Sequence, residues 1–120
     1  MKAVFTTSGK NLDAPLDSRF GRAPGFLVVD LDTDAFRAVD NQQNLNAAQG
    51  AGIQSAEAVA RLGAHVLVTG HCGPKAYRVL QAAGVKVFTT DARTVREALA
   101  RLRAGSLAEA TGANVEGHWA

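Results

Sequence analysis

The chain has 120 residues, 47% of them hydrophobic and 20% charged, which suits one domain, residues 1–120, with a single core and is too short for two. Its formal charge of +2 is too small to point to nucleic acid by itself. No segment approaches the roughly 20 apolar residues of a membrane span or reads as a signal peptide, and the single cysteine, Cys72, excludes an internal disulfide, so a cytoplasmic protein is expected.

Residues 3–7 (A-V-F-T-T) predict a short strand closed by Ser8 and Gly9. Residues 10–24 form a polar loop with two prolines, long enough to suggest a functional role. Residues 26–30 (F-L-V-V-D) are a continuous apolar run, hence a strand buried on both faces, and residues 36–39 pair with it as an antiparallel hairpin across L-D-T-D. The amide-rich residues 41–49 read as loop. Residues 52–62 predict a helix with Ile53, Ala56, Val59 and Ala60 on one face and Gly63 after it. Residues 66–69 (V-L-V-T) predict another doubly buried strand, and residues 74–83 a helix with proline in its first turn and Gly84 past its end. Residues 85–89 complete the strands. Residues 94–103 carry a helix with a capping box in Thr94 and Glu97, an apolar stripe of Val95, Ala98, Leu99 and Leu102, and Gly105 as a stop. The tail, residues 106–120, reads as irregular. A hairpin followed by helix, strand, helix, strand, helix predicts a three-layer α/β domain with a mixed sheet of five strands.

In open α/β sheets ligands gather at the carboxyl ends of parallel strands. Three loops are expected to meet there: residues 8–24, residues 49–53 and residues 70–74. The last two enter helix N-termini through Gly50, Gly52 and Gly73, where free N–H groups and positive partial charge suit an anion. Arg19 and Arg22 add full charges from the first loop. Turn glycines and solvated arginines account for the same residues equally well.

Cys72 sits just before a helix, where the helix dipole favours thiolate and a protonated His71 would help. A thiolate can attack phosphorus or hold a soft metal; a small buried apolar residue is the other reading. The spacing His71-Cys72-x5-Arg78 matches a thiol-phosphatase loop, but Pro74 lacks an N–H and starts the helix too early, so Arg78 falls in the second helical turn. His65, His71, His118 and Cys72 show no paired zinc-ligand spacing.

Five blocks carry a family resemblance. They are residues 17–30 (D-S-R-F-G-R-A-P-G-F-L-V-V-D), 50–57 (G-A-G-I-Q-S-A-E), 69–76 (T-G-x-x-G-P-K-A), 82–87 (A-A-G-V-K-V) and 110–119 (A-T-G-A-N-V-E-G-H-W). In this order they resemble the dinitrogenase iron–molybdenum cofactor biosynthesis family over nearly the whole chain. The resemblance implies a ribonuclease H-like fold without nuclease chemistry, since the first strand lacks the carboxylates that hold two metal ions. It also implies a non-enzymatic carrier or scaffold for an anionic metal–sulfur cluster, a molybdenum–copper sulfide cluster or another iron– or molybdenum–sulfur cluster, with protein partners in cluster assembly. No nucleic-acid or membrane partner is expected. Residues expected at the cluster are Ser18, Arg19, Phe20, Gly21 and Arg22, then Gly50, Gly52, Ile53 and Gln54, then Gly70, Gly73 and Pro74. His71 and Cys72, individual to this chain, are candidate soft ligands. The alternative is a regulatory or partner-binding module of the same fold without a cluster.

Overall fold

A strand whose residues are all apolar or able to satisfy themselves locally can be covered on both faces, and residues 3–7 are of that kind. The computed structural model describes residues 1–45 and 50–111. In it β1 (Lys2–Thr7) lies between β2 (Gly25–Asp30), antiparallel to it, and β4 (Val66–Thr69), parallel to it. β3 (Phe36–Asp40) extends the sheet beyond β2, β5 (Lys86–Thr89) runs parallel to β4, and β6 (Ala108–Glu109) closes the far edge antiparallel to β5. The order is β3-β2-β1-β4-β5-β6.

Side chains alternate between the two faces, as the strand period requires. Val4, Phe26, Val28, Leu67 and Val87 share one core with Ala56 and Val59 of α2 (Ala51–Arg61) and Ala76 and Leu80 of α3 (Pro74–Ala82). Ala3, Phe5, Leu27, Val29, Val66 and Val68 share the other with Val95 and Ala98 of α4 (Val95–Arg103) and with Leu16 from the first loop. The three layers are therefore α2 and α3, the sheet, and α4. Gly63, Gly84 and Gly105 follow the three helices with φ of 76°, 80° and 71°, the left-handed conformation glycine adopts without penalty.

Two expectations need correction. Among the described residues the sheet has six strands, not five: Ala108 and Glu109 pair with Thr89 and Phe88, and the Ala110 N–H donates to Val87 O at 2.7 Å. Neither residue has strand propensity; the open edge of β5 supplies the hydrogen bonds that recruit them. Within the expected loop 41–49, Gln42–Leu45 is one turn of helix, α1. Residues 46–49 and the end of the expected irregular tail, residues 112–120 with His118 and Trp119, lie outside the described residues.

The first loop is also more ordered than its composition suggested. Leu16 bridges to Thr7 on one side and Pro15 to Thr94 on the other. Leu12 O and Ala14 O accept from the N–H groups of Arg96 and Val95 at 2.7 and 3.0 Å, so this loop caps the start of α4 as a short backbone pairing. At the same helix end the Thr94 hydroxyl accepts from Glu97 N at 3.1 Å, and the Glu97 carboxylate accepts from Arg93 N at 3.2 Å.

Replacing Thr94 by Ala is expected to cost about 1 kcal/mol and lower Tm by roughly 4 °C, read by thermal denaturation. Asp13 and Asp91 are held below the usual carboxylate range by hydrogen bonds from Arg96 and Arg101 respectively. A lowered folded-state pKa adds stability that is present above the unfolded value and lost as pH falls through the folded one. A small loss of stability is therefore expected on acidification below about pH 4. The same loss should shrink in high salt, because both carboxylates are exposed.

Candidate functional site

The parallel strands β1 and β4 end in Thr7 and Thr69, and the chain leaves each of them at the same end of the sheet. Between them stands the segment 17–23. Ser18 is exposed, but its backbone lies so close to Gly70 that a Cβ there would sit 2.6 Å from Ser18 Cα and from Ser18 O. Gly70 is glycine because nothing larger fits under Ser18. A Cβ on Gly21 would stand 3.0 Å from Gly52 Cα and 3.2 Å from Gly52 N, so this segment also rests on the first turn of α2. A Cβ on Gly52 would in turn lie 3.6 Å from the Ala76 Cβ, in the first turn of α3. The three loops expected to meet do meet, through glycine contacts that bring backbone against backbone.

Phe20 anchors the segment. It is 1% exposed, stacks on Phe26 with ring centroids 6.2 Å apart, and donates its N–H to His71 O at 3.0 Å. A 3₁₀ turn at Phe20–Arg22 follows, and Arg19 and Arg22 on either side of the phenylalanine are exposed. The Asp17 carboxylate accepts from Arg19 N at 3.0 Å and sets the backbone there.

The helix ends beneath are open to the extent their geometry requires. Gly50, at φ 78°, precedes α2, and the first bond of that helix runs from Gln54 N to Gly50 O at 2.8 Å. The N–H groups of Ala51, Gly52 and Ile53 therefore lie outside its ladder. Ile53 is half-buried and Gln54 exposed. Gly73 precedes α3 and accepts from Tyr77 N at 3.0 Å; Pro74 has no N–H to offer, which leaves those of Lys75 and Ala76. Lys75 is exposed in this first turn.

Cys72 departs from its expected chemistry. It is 1% exposed within the core shared by Val4, Phe20, Leu67 and Leu80, and its sulfur donates to Gly73 O at 3.6 Å. Burial pushes the thiol up to about 12, so it is a protonated thiol near neutrality and not the thiolate that its place before a helix would favour. Desolvation outweighs the dipole because the sulfur lies inside the packed layer. His71 is half-buried and Arg78 exposed on α3. Among the described residues no group of three or more His, Cys, Asp or Glu side chains could hold a metal ion.

A pocket of about 430 Å³ opens at the same end of the sheet but further toward its β3 edge. It is lined by Ser8, Gly9, Lys10 and Pro24 from the ends of the first loop, and by Gly25, Ala38, Val39, Asp40 and Gln42. None of the residues expected to bind an anion lines it. Sequence reasoning missed Lys10, Asp40 and Gln42, and no local signal marks them, because only the hairpin register brings the end of β3 beside Ser8. It also missed the buried Thr6, Thr69, Asn41 and Ser55, each 0% exposed; the two threonines are marked only as polar residues at the ends of apolar runs, and no local signal marks Asn41 or Ser55.

The family model described as dinitrogenase iron–molybdenum cofactor matches residues 1–105. The orange protein of Desulfovibrio gigas, known in an apo form, superposes with a TM-score of 0.89 at 46% identity, over 92% of this chain and 93% of that one. A NifB-like protein of Thermotoga superposes at 0.79 with 30% identity, over 90% and 91%. An uncharacterized protein of Methanocaldococcus jannaschii is 27% identical over 94 residues, 77% of this chain and 80% of its own length. The matched span and the 46% identity across a nearly complete superposition make one conclusion plain: the chain belongs to the dinitrogenase iron–molybdenum cofactor family.

Proposed function

We propose that this protein is a non-enzymatic carrier or scaffold for an anionic metal–sulfur cluster, its cargo, taken up at the end of the sheet where segment 17–23 crosses the first turns of α2 and α3. The observation that carries the reading is the pair of glycine contacts, Gly21 on Gly52 and Ser18 on Gly70. They rest the backbone of the segment that carries the exposed Arg19 and Arg22 on the first turn of α2 and on the turn that leads into α3. Family membership supplies the class of cargo, and a relative that has an apo form is one that also has a bound form.

The donor set fits such a group in one particular way. Arginines and backbone N–H groups recognise negative charge and accept no electrons from it, so they suit a cluster that brings its own sulfides. Arg19 and Arg22 would bind through charge, and the N–H groups of Gly52, Ile53 and Lys75 through hydrogen bonds. His71 and Cys72 lie beneath this surface as part of the turn before α3, and ligation by Cys72 would require its sulfur to leave the core and lose its proton. A thiol in that state is not a nucleophile either, which weighs for a carrier over a thiol enzyme. The specific version put forward is a molybdenum–copper sulfide cluster.

Titrating the apo-protein with tetrathiomolybdate and copper(I) is expected to give stoichiometric uptake with new charge-transfer absorption; no uptake would sink the molybdenum–copper version. Replacing Arg19 and Arg22 together by Ala should weaken binding by about tenfold or more at low salt, each exposed charge contributing on the order of 1 kcal/mol. That difference should narrow as salt is raised. Cys72→Ser should leave affinity within about twofold, and in the native wild type Cys72 should resist alkylation until denaturant is added.

A further inference from the structure

Segment 17–23 carries the charges of the proposed site, yet apart from Phe20 it sends no large side chain into the core. Two clusters of buried polar side chains hold its ends. At the first, Thr6 grips Asp17 twice: the Asp17 N–H donates to Thr6 O at 2.8 Å, and the Thr6 hydroxyl stands 2.9 Å from Asp17 O. The same hydroxyl is 2.9 Å from the Thr69 hydroxyl. A hydroxyl has one proton and a carbonyl can only accept, so Thr6 donates to Asp17 and Thr69 donates to Thr6. Thr6 and Thr69 are both 0% exposed, where an unmade hydrogen bond is costly.

At the other end stands Asn41, also 0% exposed. Its amide group donates to Ala23 O at 2.9 Å and to the Ser55 hydroxyl of α2 at 3.0 Å, and accepts from the Asn44 side chain at 2.6 Å. Its backbone N–H donates to Pro24 O at 2.8 Å. Every hydrogen-bonding position of this amide that faces segment 17–23 or α2 is used. An apolar side chain could fill either site; a threonine and an asparagine are needed only if the carbonyls of Asp17 and Ala23 must be held.

We propose that Thr6 and Asn41 are positioning residues that clamp the two ends of segment 17–23, so that Arg19 and Arg22 are presented together to an anionic ligand. This rests on the reading of that segment as the anion-binding element. A clamped segment loses little freedom on binding, and both charges meet the ligand in one geometry. Released at either end, the segment keeps its Phe20 anchor but no longer holds both guanidinium groups at one place.

The test compares wild type, Thr6→Val, Thr6→Ser and Asn41→Ala in two measurements. The first is the affinity for tetrathiomolybdate with copper(I) across a series of salt concentrations. The second is amide hydrogen exchange at Arg19 and Phe20, with Ala98 as the control; Ala98 N donates to Thr94 O in α4, on the other face of the sheet from α2 and α3. Thr6→Val and Asn41→Ala are expected to bind about tenfold more weakly, the equivalent of one lost hydrogen bond, with a shallower dependence on salt. They should also exchange faster at Arg19 and Phe20 while Ala98 is unchanged. Thr6→Ser, which keeps the hydroxyl, should stay within about twofold of wild type. Should Thr6→Val fail to fold, Thr69→Val, which removes only the donor to Thr6, is expected to show the same pattern more weakly. Wild-type affinity and salt dependence in both variants, or exchange quickened equally at Ala98, overturns the proposal. If the wild type itself takes up no thiomolybdate, the carrier reading fails, and the exchange arm still decides whether the clamp exists.

Discussion

The molecule is organised around a strand that water does not reach. All five residues from Ala3 to Thr7 are 0% exposed, so every backbone N–H and C=O of this strand has to be paired inside the protein. Antiparallel β2 on one side and parallel β4 on the other meet that demand, and a mixed sheet is the consequence. A parallel neighbour requires a crossover, and α2 provides it on one face. The crossover from β4 to β5 through α3 packs beside it, which leaves the other face to α4 and Leu16.

The same constraint decides what the strand ends can do. At their carboxyl ends β1 and β4 run out of apolar residues and finish in threonines, while the sheet remains closed to solvent around them. Hydroxyl groups sealed there must find partners, and the partners within reach are one another and the carbonyls of the loop that leaves β1. Thr7 captures Pro15 O as Thr6 captures Asp17 O. The loop is thereby folded back over the sheet, onto α4 through residues 12–16 and onto α2 and the β4–α3 turn through residues 18–21. What the composition presents as a polar loop is a structured element, with surface charge on one side and backbone contacts on the other.

Burial and exposure are divided sharply at this end of the molecule, and that division shapes its chemistry. The Cys72 thiol, the softest candidate ligand here, is drawn into the core by packing. Arg19, Arg22 and Lys75, by contrast, are left exposed, Lys75 in the first turn of α3.

Much of this was legible in the amino-acid order, for reasons that are local. Continuous runs such as F-L-V-V and V-L-V-T declare buried strands, Pro74 and Gly84 bracket α3, and Thr94 with Glu97 announces α4, because each signal acts within a few residues. The charged segment and the glycine turns could likewise be picked out and assigned to one end of a parallel sheet. What no window of sequence contains is contact between distant residues. The strandlike pairing of Ala108 and Glu109 depends on the open edge of β5, and the state of Cys72 depends on how deeply its turn is packed. The glycines could be read as turn formers, but that Gly70 must admit Ser18 and Gly52 must admit Gly21 follows only from the approach of three loops. Local free energies write the elements into the chain; desolvation and close packing, which sum over neighbours far apart in sequence, decided which polar groups were buried and which were left at the surface.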